Sequence, residues 1–158
     1  MGLIKQGMAL LALSLCIGVA PAQQRAPDQQ VQDGIAVRPL SRARVLISPE
    51  QVEAQASEQY FSMLTQARDQ GALYPNTHPQ VVRLRTIAKR IIPYSTRWNR
   101  DAANWKWQVN LFNSSQVNAF CLPGGRIGFY SGIISKLRLT DDEIAAIMGH
   151  EIAHALRE

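Results

Sequence analysis

The C-terminal segment of the chain constrains the fold most, because its pattern predicts one well-defined helix. Thr140 and Glu143 have the spacing of a capping box, in which each side chain bonds the backbone N–H of the other residue. Asp141 and Asp142 place further negative charge at the positive end of the helix dipole. Apolar residues then recur at helical spacing, namely Ile144, Ile147, Met148, Ala155 and Leu156. The sequence therefore predicts a helix that begins after Thr140 and contains residues 150–154.

This helix carries the pattern H-E-x-x-H, formed by His150, Glu151 and His154. Histidines at positions i and i+4 lie on one helix face, about 6 Å apart along the axis, so both imidazoles can reach one zinc ion at about 2.0–2.1 Å. Glu151 lies off that line and can accept a proton from a water on the ion. The pattern predicts one Zn²⁺, with His150 and His154 as ligands and Glu151 as the catalytic base. The alternative is an amphipathic helix that contains these residues by chance.

The beginning of the chain has the pattern of a secretory signal. Lys5 supplies a positive charge, residues 8–19 form an apolar run too short to span a bilayer comfortably, and residues 20–22 read A-P-A, a small-x-small cleavage pattern. The sequence therefore predicts export and a signal peptide over residues 1–22. A lipoprotein signal with Cys16 as the lipidated residue is the alternative, which the bulky residue before Cys16 disfavours.

The remaining chain is long enough for one domain at most, and its apolar content of 46% can fill a core. Residues 23–47 lack periodicity and predict a partly disordered linker. Two helices should follow: one capped by Ser48 that ends before Gly71, and one capped by Thr77 that ends at Pro93. Cys121 is the one cysteine left after the predicted cleavage, so it cannot form an internal disulfide. The pattern favours a small buried residue over a disulfide between chains or with a missing segment.

Between the helices the periodicity changes to that of strands. Apolar residues alternate with polar ones at Trp105, Trp107, Val109 and Leu111, and residues 126–130 form another candidate strand. A short extended segment precedes the P-G-G turn and consists of Val117, Asn118, Ala119 and Phe120. An enzyme that acts on peptide bonds can hold its substrate along an edge strand, so these four residues are candidate substrate-binding residues. A purely structural edge strand with Phe120 in the core is the alternative.

Three runs resemble one family: N-A-F-C-L-P-G-G-R-I at residues 118–127, Y-S-G-I-I at 130–134 and G-H-E-I-A-H-A at 149–155. They are similar in order and spacing to the HtpX-like and CaaX-prenyl-protease-like zinc metallopeptidases, in particular the soluble bacterial envelope branch. The resemblance covers roughly residues 48–158. It implies a gluzincin-type domain, His150 and His154 as zinc ligands, Glu151 as the base, and a periplasmic role in envelope protein quality control.

That family takes its third zinc ligand from a glutamate on a later helix, whereas the sequence given ends at Glu158. Glu158 lies about 12 Å along the helix axis from His150, which is too far to share the ion. The other spare candidate ligand is His78, which we expect to be an exposed residue near the start of a different helix. We therefore expect residues 48–158 to be the N-terminal part of a catalytic domain. We also expect this piece alone to be inactive, because catalytic zinc sites use three protein ligands.

The formal charge of +5 is concentrated in one stretch. Its cations are Arg83, Arg85, Lys89, Arg90, Arg97, Arg100 and Lys106. Such a cluster can meet nucleic acid, anionic lipid or acidic protein, but a solvated helix face explains it more simply. No nucleic-acid motif accompanies it. We therefore expect no nucleic-acid partner. The resemblance implies protein or peptide substrates, misfolded envelope proteins among them, and membrane association is possible.

Together these features predict an α+β fold, mainly helical, with a small antiparallel sheet packed on the helix that carries H-E-x-x-H. The predicted function is a zinc-dependent metalloendopeptidase. The alternative from another class is a non-catalytic adaptor or holdase that retains the motif.

Overall fold

A computed structural model describes residues 30–32, 35–37 and 47–157 of the chain. The predicted signal peptide over residues 1–22 lies outside the described residues. Those from residue 47 onwards belong to one compact unit. No helix within the described residues is long and apolar enough to cross a membrane.

Two short strands lie within the segment predicted as a linker. They are β1 (Gln30–Gln32) and β2 (Ile35–Val37), which pair in antiparallel fashion with Val31 opposite Ala36. The pair forms a two-stranded sheet of its own and belongs to a different compact unit from residues 47–157.

The first helix, α1 (Pro49–Asp69), begins and ends where the sequence predicts. Ser48 and Gln51 form the expected capping box, in which the Gln51 N–H donates to Ser48 Oγ at 3.3 Å. Gly71 has φ +65°, a left-handed conformation that glycine adopts without strain and that commonly follows a helix end. Both signals are local, which is why the sequence alone predicts this helix well.

The second helix, α2 (Pro79–Ile91), is capped by His78 and not by Thr77 as predicted. Nδ1 of His78 accepts the Gln80 N–H at 3.2 Å, and the imidazole ring lies 4.4 Å from the Tyr74 ring. The capping prediction was wrong because an imidazole held by a neighbouring aromatic ring can replace the usual hydroxyl. Beyond α2 the chain tightens into a 3₁₀ segment, Ile92–Arg97.

Three strands form the central sheet: β3 (Gln108–Phe112), β4 (Ala119–Leu122) and β5 (Arg126–Tyr130), in the order β3-β5-β4. β4 and β5 are antiparallel, but β3 and β5 are parallel. The sheet is therefore mixed and not wholly antiparallel as predicted. After β3 the chain forms β4 at the far edge and then returns to form β5 between the two. The alternation of apolar and polar residues along a strand does not specify which strand pairs with it.

The tryptophans predicted to open β3 precede it. A second 3₁₀ segment, Arg100–Ala103, comes just before the two tryptophans. One indole forms a hydrogen bond to this segment and the other to α1. Nε1 of Trp107 donates to the carbonyl of Ala102 at 3.1 Å, and Nε1 of Trp105 donates to Glu53 at 2.7 Å. The alternating pattern therefore extends beyond the residues that pair as a strand.

Helices cover both faces of the sheet. Tyr60, Leu64 and Ala67 of α1 pack with Phe112 and with the partly buried Phe120 on one face. On the other face lie α2, α3 (Ser131–Leu137) and α4 (Asp141–Arg157), which share a larger core with the strands. The α+β class and the packing of the sheet against the H-E-x-x-H helix are confirmed.

One buried tyrosine joins α1 to the sheet. The Tyr60 hydroxyl donates to the carbonyl of Ile127 at 2.8 Å and accepts from Asn110 Nδ2 at 3.0 Å. Burial raises the pKa of Tyr60 to about 12, although the Asn110 hydrogen bond acts in the opposite direction. The phenol therefore stays neutral in its buried site over the physiological pH range.

Candidate active site

The helix that carries the candidate site, α4, begins with the predicted capping box. The Thr140 N–H donates to Glu143 Oε2 at 2.8 Å, and the Glu143 N–H donates to Thr140 Oγ1 at 3.4 Å. The hydrogen bond from the Thr140 backbone, together with one from its hydroxyl, lowers the pKa of the Glu143 carboxyl. The first turn is thereby held, and the two histidines lie on regular helix.

The core-facing side of α4 determines which side faces solvent. Ile144, Met148 and Ile152 are buried against the sheet and α2. Because the helix repeats every 3.6 residues, His150 and His154 lie on the opposite side, and both are exposed. The histidines are thus available to a ligand, as the sequence predicts from their spacing.

The two imidazoles converge on one point. Their Nε2 atoms are 3.0 Å apart, and their ring planes are nearly perpendicular, at 89°. Two nitrogens that share a tetrahedral zinc at about 2.0–2.1 Å lie roughly 3.3 Å apart, so a shift of a few tenths of an ångström is sufficient. The pair therefore fits a single ion of that size.

Glu151 follows His150 directly and is half-buried at the flank of the pair. The residue before His150 is Gly149, and a Cβ added there would meet no atom within 4 Å, so this side of the helix is open. Glu151 therefore neighbours the pair along the helix and stays partly accessible to solvent.

The third ligand is not among the described residues. No group of three or more His, Cys, Asp or Glu side chains within them is placed to hold a metal. His78 is occupied as the cap of α2, and Glu158 lies outside the described part of the chain. The described residues therefore bring two candidate ligands together and not three.

The candidate substrate-binding residues lie at the start of the edge strand β4. Val117 and Asn118 are exposed and precede the strand, whereas Ala119 and Phe120 belong to it. The strand begins and ends two residues later than predicted, and Phe120 is half-buried against the α1 face. The structural role predicted as the alternative for Phe120 therefore applies, whether or not the strand also binds substrate.

The pairing of β4 shows which backbone groups are turned outwards. The Tyr130 N–H donates to the carbonyl of Asn118 at 3.2 Å, and Phe120 pairs with Gly128. In an antiparallel pair these groups alternate, so the N–H and C=O groups of Ala119 and Cys121 point away from β5. The sequence prediction ended the strand at Phe120 and so missed Cys121. Buried and half-buried side chains alternate along β4 through Cys121 and Leu122. Its side chain is buried in the core that contains α4.

A glycine permits the close packing behind β4. A Cβ on Gly128 would lie 2.2 Å from the Phe120 ring. The turn between β4 and β5 has two further glycines with positive φ, Gly124 and Gly125, and a Cβ on Gly125 would meet Trp107 at 2.7 Å. The P-G-G run therefore reflects both turn conformation and tight packing.

Comparison with known sequences identifies the family. Residues 78–158 match the sequence model described as Peptidase family M48. The chain belongs to peptidase family M48. The match covers α2, the sheet, α3 and the site helix α4, and it agrees with the resemblance inferred from the sequence runs.

Three M48 relatives give the scale of the similarity. The chain is 29% identical over 99 residues to mitochondrial metalloendopeptidase OMA1 of Schizosaccharomyces pombe and 30% identical over 93 residues to the OMA1 of Saccharomyces cerevisiae. It is 35% identical over 72 residues to metalloprotease LoiP of Escherichia coli. The matches cover 63%, 55% and 46% of this chain but 27%, 27% and 25% of those relatives, so the chain spans about a quarter of their length. No solved structure matches the chain significantly.

These names contradict the predicted periplasmic location, because the two yeast M48 relatives are mitochondrial enzymes. The physical reason for the error is that the matching runs specify a helix, a sheet edge and a tight turn. Enzymes in different compartments can share all three, so the runs identify a family and not a location.

Proposed function

We propose that this chain forms the histidine-pair and base half of a zinc metalloendopeptidase site. His150 and His154 would hold Zn²⁺ through Nε2, and Glu151 would act as the general base. The observation that carries the proposal is the 3.0 Å separation of the two Nε2 atoms on the exposed face of a well-capped helix. When bound, zinc supplies a Lewis acid that acidifies water and polarises a carbonyl.

The chain's own residues would then move one proton and hold the substrate. The Glu151 carboxylate accepts a proton as water attacks the peptide carbonyl, and it returns the proton to the leaving amine. The outward backbone groups of Ala119 can pair with a polypeptide that lies extended beside β4. Because α4 packs beneath β4, such a strand would lie along the helix that carries the histidines.

Completion of the site requires a third protein ligand. We propose that it comes from residues outside the described part of the chain, because the described residues offer no third group. Membership of family M48, whose matched relatives are named metalloendopeptidases or a metalloprotease, supports a peptidase site at the histidine pair.

Zinc titration of the 158-residue chain tests the histidine pair directly. We expect one weak site that disappears in His150→Ala and in His154→Ala. His78→Asn is the matched control, since asparagine is also a favoured N-cap residue and should preserve α2. Glu151→Gln should bind zinc like the parent chain. Zinc uptake that survives loss of either His150 or His154 would refute the assignment.

A further inference from the structure

A groove with a volume of about 790 Å³ runs along the outer edge of β3, between α1 and α2. It lies at the edge of the sheet away from β4, and none of the described residues of α4 lines it. Its size falls within the range of ligand-binding clefts. The outward carbonyl of Leu111 already accepts the Tyr74 N–H at 3.1 Å, and that of Val109 is bonded as well. A ligand of this groove must therefore be recognised by side chains.

Arg85 supplies a fixed positive charge on the α2 wall of the groove. Its Nε donates to the Val109 carbonyl at 3.1 Å, and its Nη2 donates to Asn76 Oδ1 at 2.7 Å. Asn110 Oδ1 accepts from the same Nη2 at 3.4 Å. These partners are all neutral, and they hold the guanidinium in one orientation. Within the described residues Nη1 has no hydrogen-bond partner and is not a buried atom, so its donors remain open to a ligand.

Lys89 follows one turn later on the same helix and also lines the groove. Residues at positions i and i+4 are neighbours on a helix, so the charges of Arg85 and Lys89 repel each other. No Asp or Glu is among the described residues that line the groove, and in this part of the chain neither cation forms an ion pair. An anion bound between the two cations would offset their repulsion.

Apolar side chains lie beside these two cations. Ala88, Ile92, Trp107 and Val109 line the groove, and all four belong to the core that contains α2 or pack against it. Ile92 and Trp107 are only half-buried, so part of each is accessible to a ligand. A simple inorganic anion would contact the cations alone. A molecule with a negative head and an apolar body would contact both parts of the wall.

We propose that the α2 wall of this groove binds a small amphipathic anion, with a carboxylate or phosphate head and an aliphatic body. The head accepts hydrogen bonds from Arg85 Nη1 and Lys89 Nζ, and the body lies against Ile92 and Trp107. Arg68 lines the groove from α1, on the other face of the sheet, and is not part of this site. Binding here is independent of zinc and of the histidine pair.

Fluorescence quenching tests the proposal, with octanoate that carries a terminal bromine as the probe. The 158-residue chain with Trp98→Phe is suitable, because this change removes the exposed indole and leaves Trp107 in the groove and the buried Trp105. Quenching should be saturable, and the affinity should fall as salt is added. Lys89→Gln should weaken binding about five-fold, the effect expected from the loss of one ion pair in water.

Arg90→Gln is the matched control for Lys89→Gln. Arg90 lies in the same last turn of α2 and is exposed, but it does not line the groove. Binding elsewhere on the chain would not depend on Lys89, so equal effects of the two changes would overturn the proposal. Thermal melts of both variants should match that of the parent chain, because both side chains are exposed.

Two further ligands test the head and the body separately. Octanol with a terminal bromine lacks the charge and should quench much more weakly at equal concentration. Octyl phosphate should displace the octanoate probe, whereas inorganic phosphate should displace it only at far higher concentration. Quenching by the alcohol as strong as that by the carboxylate would overturn the proposal, because the cations would have no role. Equal displacement by the two phosphates would overturn it as well, because the apolar wall would have none.

Discussion

The two outer edges of the central sheet have the same backbone chemistry but different neighbours. β4 packs on α4, the helix that carries the histidine pair. β3 lies beside a basic groove that residues of α1, α2 and β3 line, among them Arg68 and Lys89. Part of the β3 edge is already bonded by residues 72–74 and by Arg85. The backbone of an edge strand can pair with any extended peptide, so the surrounding side chains decide which peptide binds and whether it reacts. We therefore propose a role in catalysis for the β4 edge, whereas the β3 edge is largely closed by bonds within the fold.

The largest expected difference between the two edges concerns catalysis. In a form of the protein with measurable peptidase activity, Glu151→Gln should lower kcat by about 10²–10⁴-fold while zinc content is unchanged, because a general base contributes that much. Lys89→Gln should leave hydrolysis of a neutral peptide unchanged. Steady-state kinetics with zinc analysis would measure both. Near-normal turnover by a zinc-loaded Glu151→Gln variant would disprove the role of the base.

A second difference concerns packing behind β4. Gly128→Ala should destabilise the fold by about 1–3 kcal/mol, because the new methyl group would overlap the Phe120 ring. Gly149→Ala, on α4, should stabilise it by about 0.5–1 kcal/mol, because its methyl group meets open space in a helix. Urea denaturation of both variants would provide the comparison. If both changes had the same sign, the close approach of Phe120 to β5 would be wrong.

On the β3 side, the corresponding contact is the hydrogen bonding of Tyr60. Tyr60→Phe should lower the free energy of unfolding by about 1–2 kcal/mol, because Asn110 and the Ile127 carbonyl lose their hydrogen bonds to the hydroxyl. The exposed Tyr94→Phe is the control and should change little.

The pH dependence of Tyr60 has a defined sign. Its pKa is raised to about 12 in the folded protein, so the folded state holds the proton more tightly than the unfolded state does. The stability contributed by the neutral phenol should therefore be present below about pH 10 and be lost as the pH rises towards 12. Tyr60→Phe should lose stability less steeply over that interval. Parallel slopes for the two proteins would contradict this account.

The smallest expected effects compare the two helix caps. Thr140→Ala at α4 and Ser48→Ala at α1 should each lower the free energy of unfolding by about 1 kcal/mol. Each change removes a side chain that accepts a hydrogen bond from a backbone N–H. Only Thr140→Ala should also weaken zinc binding, since the histidines lie on the helix that it caps. Thermal melts and zinc titration would measure both. An equal loss of zinc affinity in Ser48→Ala would indicate a global effect.

The sequence by itself determined the features that rest on local signals. The capping boxes at Ser48 and Thr140 located two helices, and Gly71 marked the end of the first. The spacing of His150 and His154 determined that they share a helix face, because helical geometry links positions i and i+4. For these residues the causes and the result lie within four positions of each other.

Only the tertiary structure decided what depends on contacts between distant residues. The parallel pairing of β3 with β5 and the later start of β4 each need a partner that the local pattern does not name. The basic cluster shows the same limit. Arg83 pairs with Asp141 at 2.6 Å and Arg85 bonds to β3, whereas Lys89 lines the groove and Arg90 does not. Periodicity places a charge on a helix, but the packing of that helix decides whether the charge bonds within the fold, lines a groove or faces open solvent.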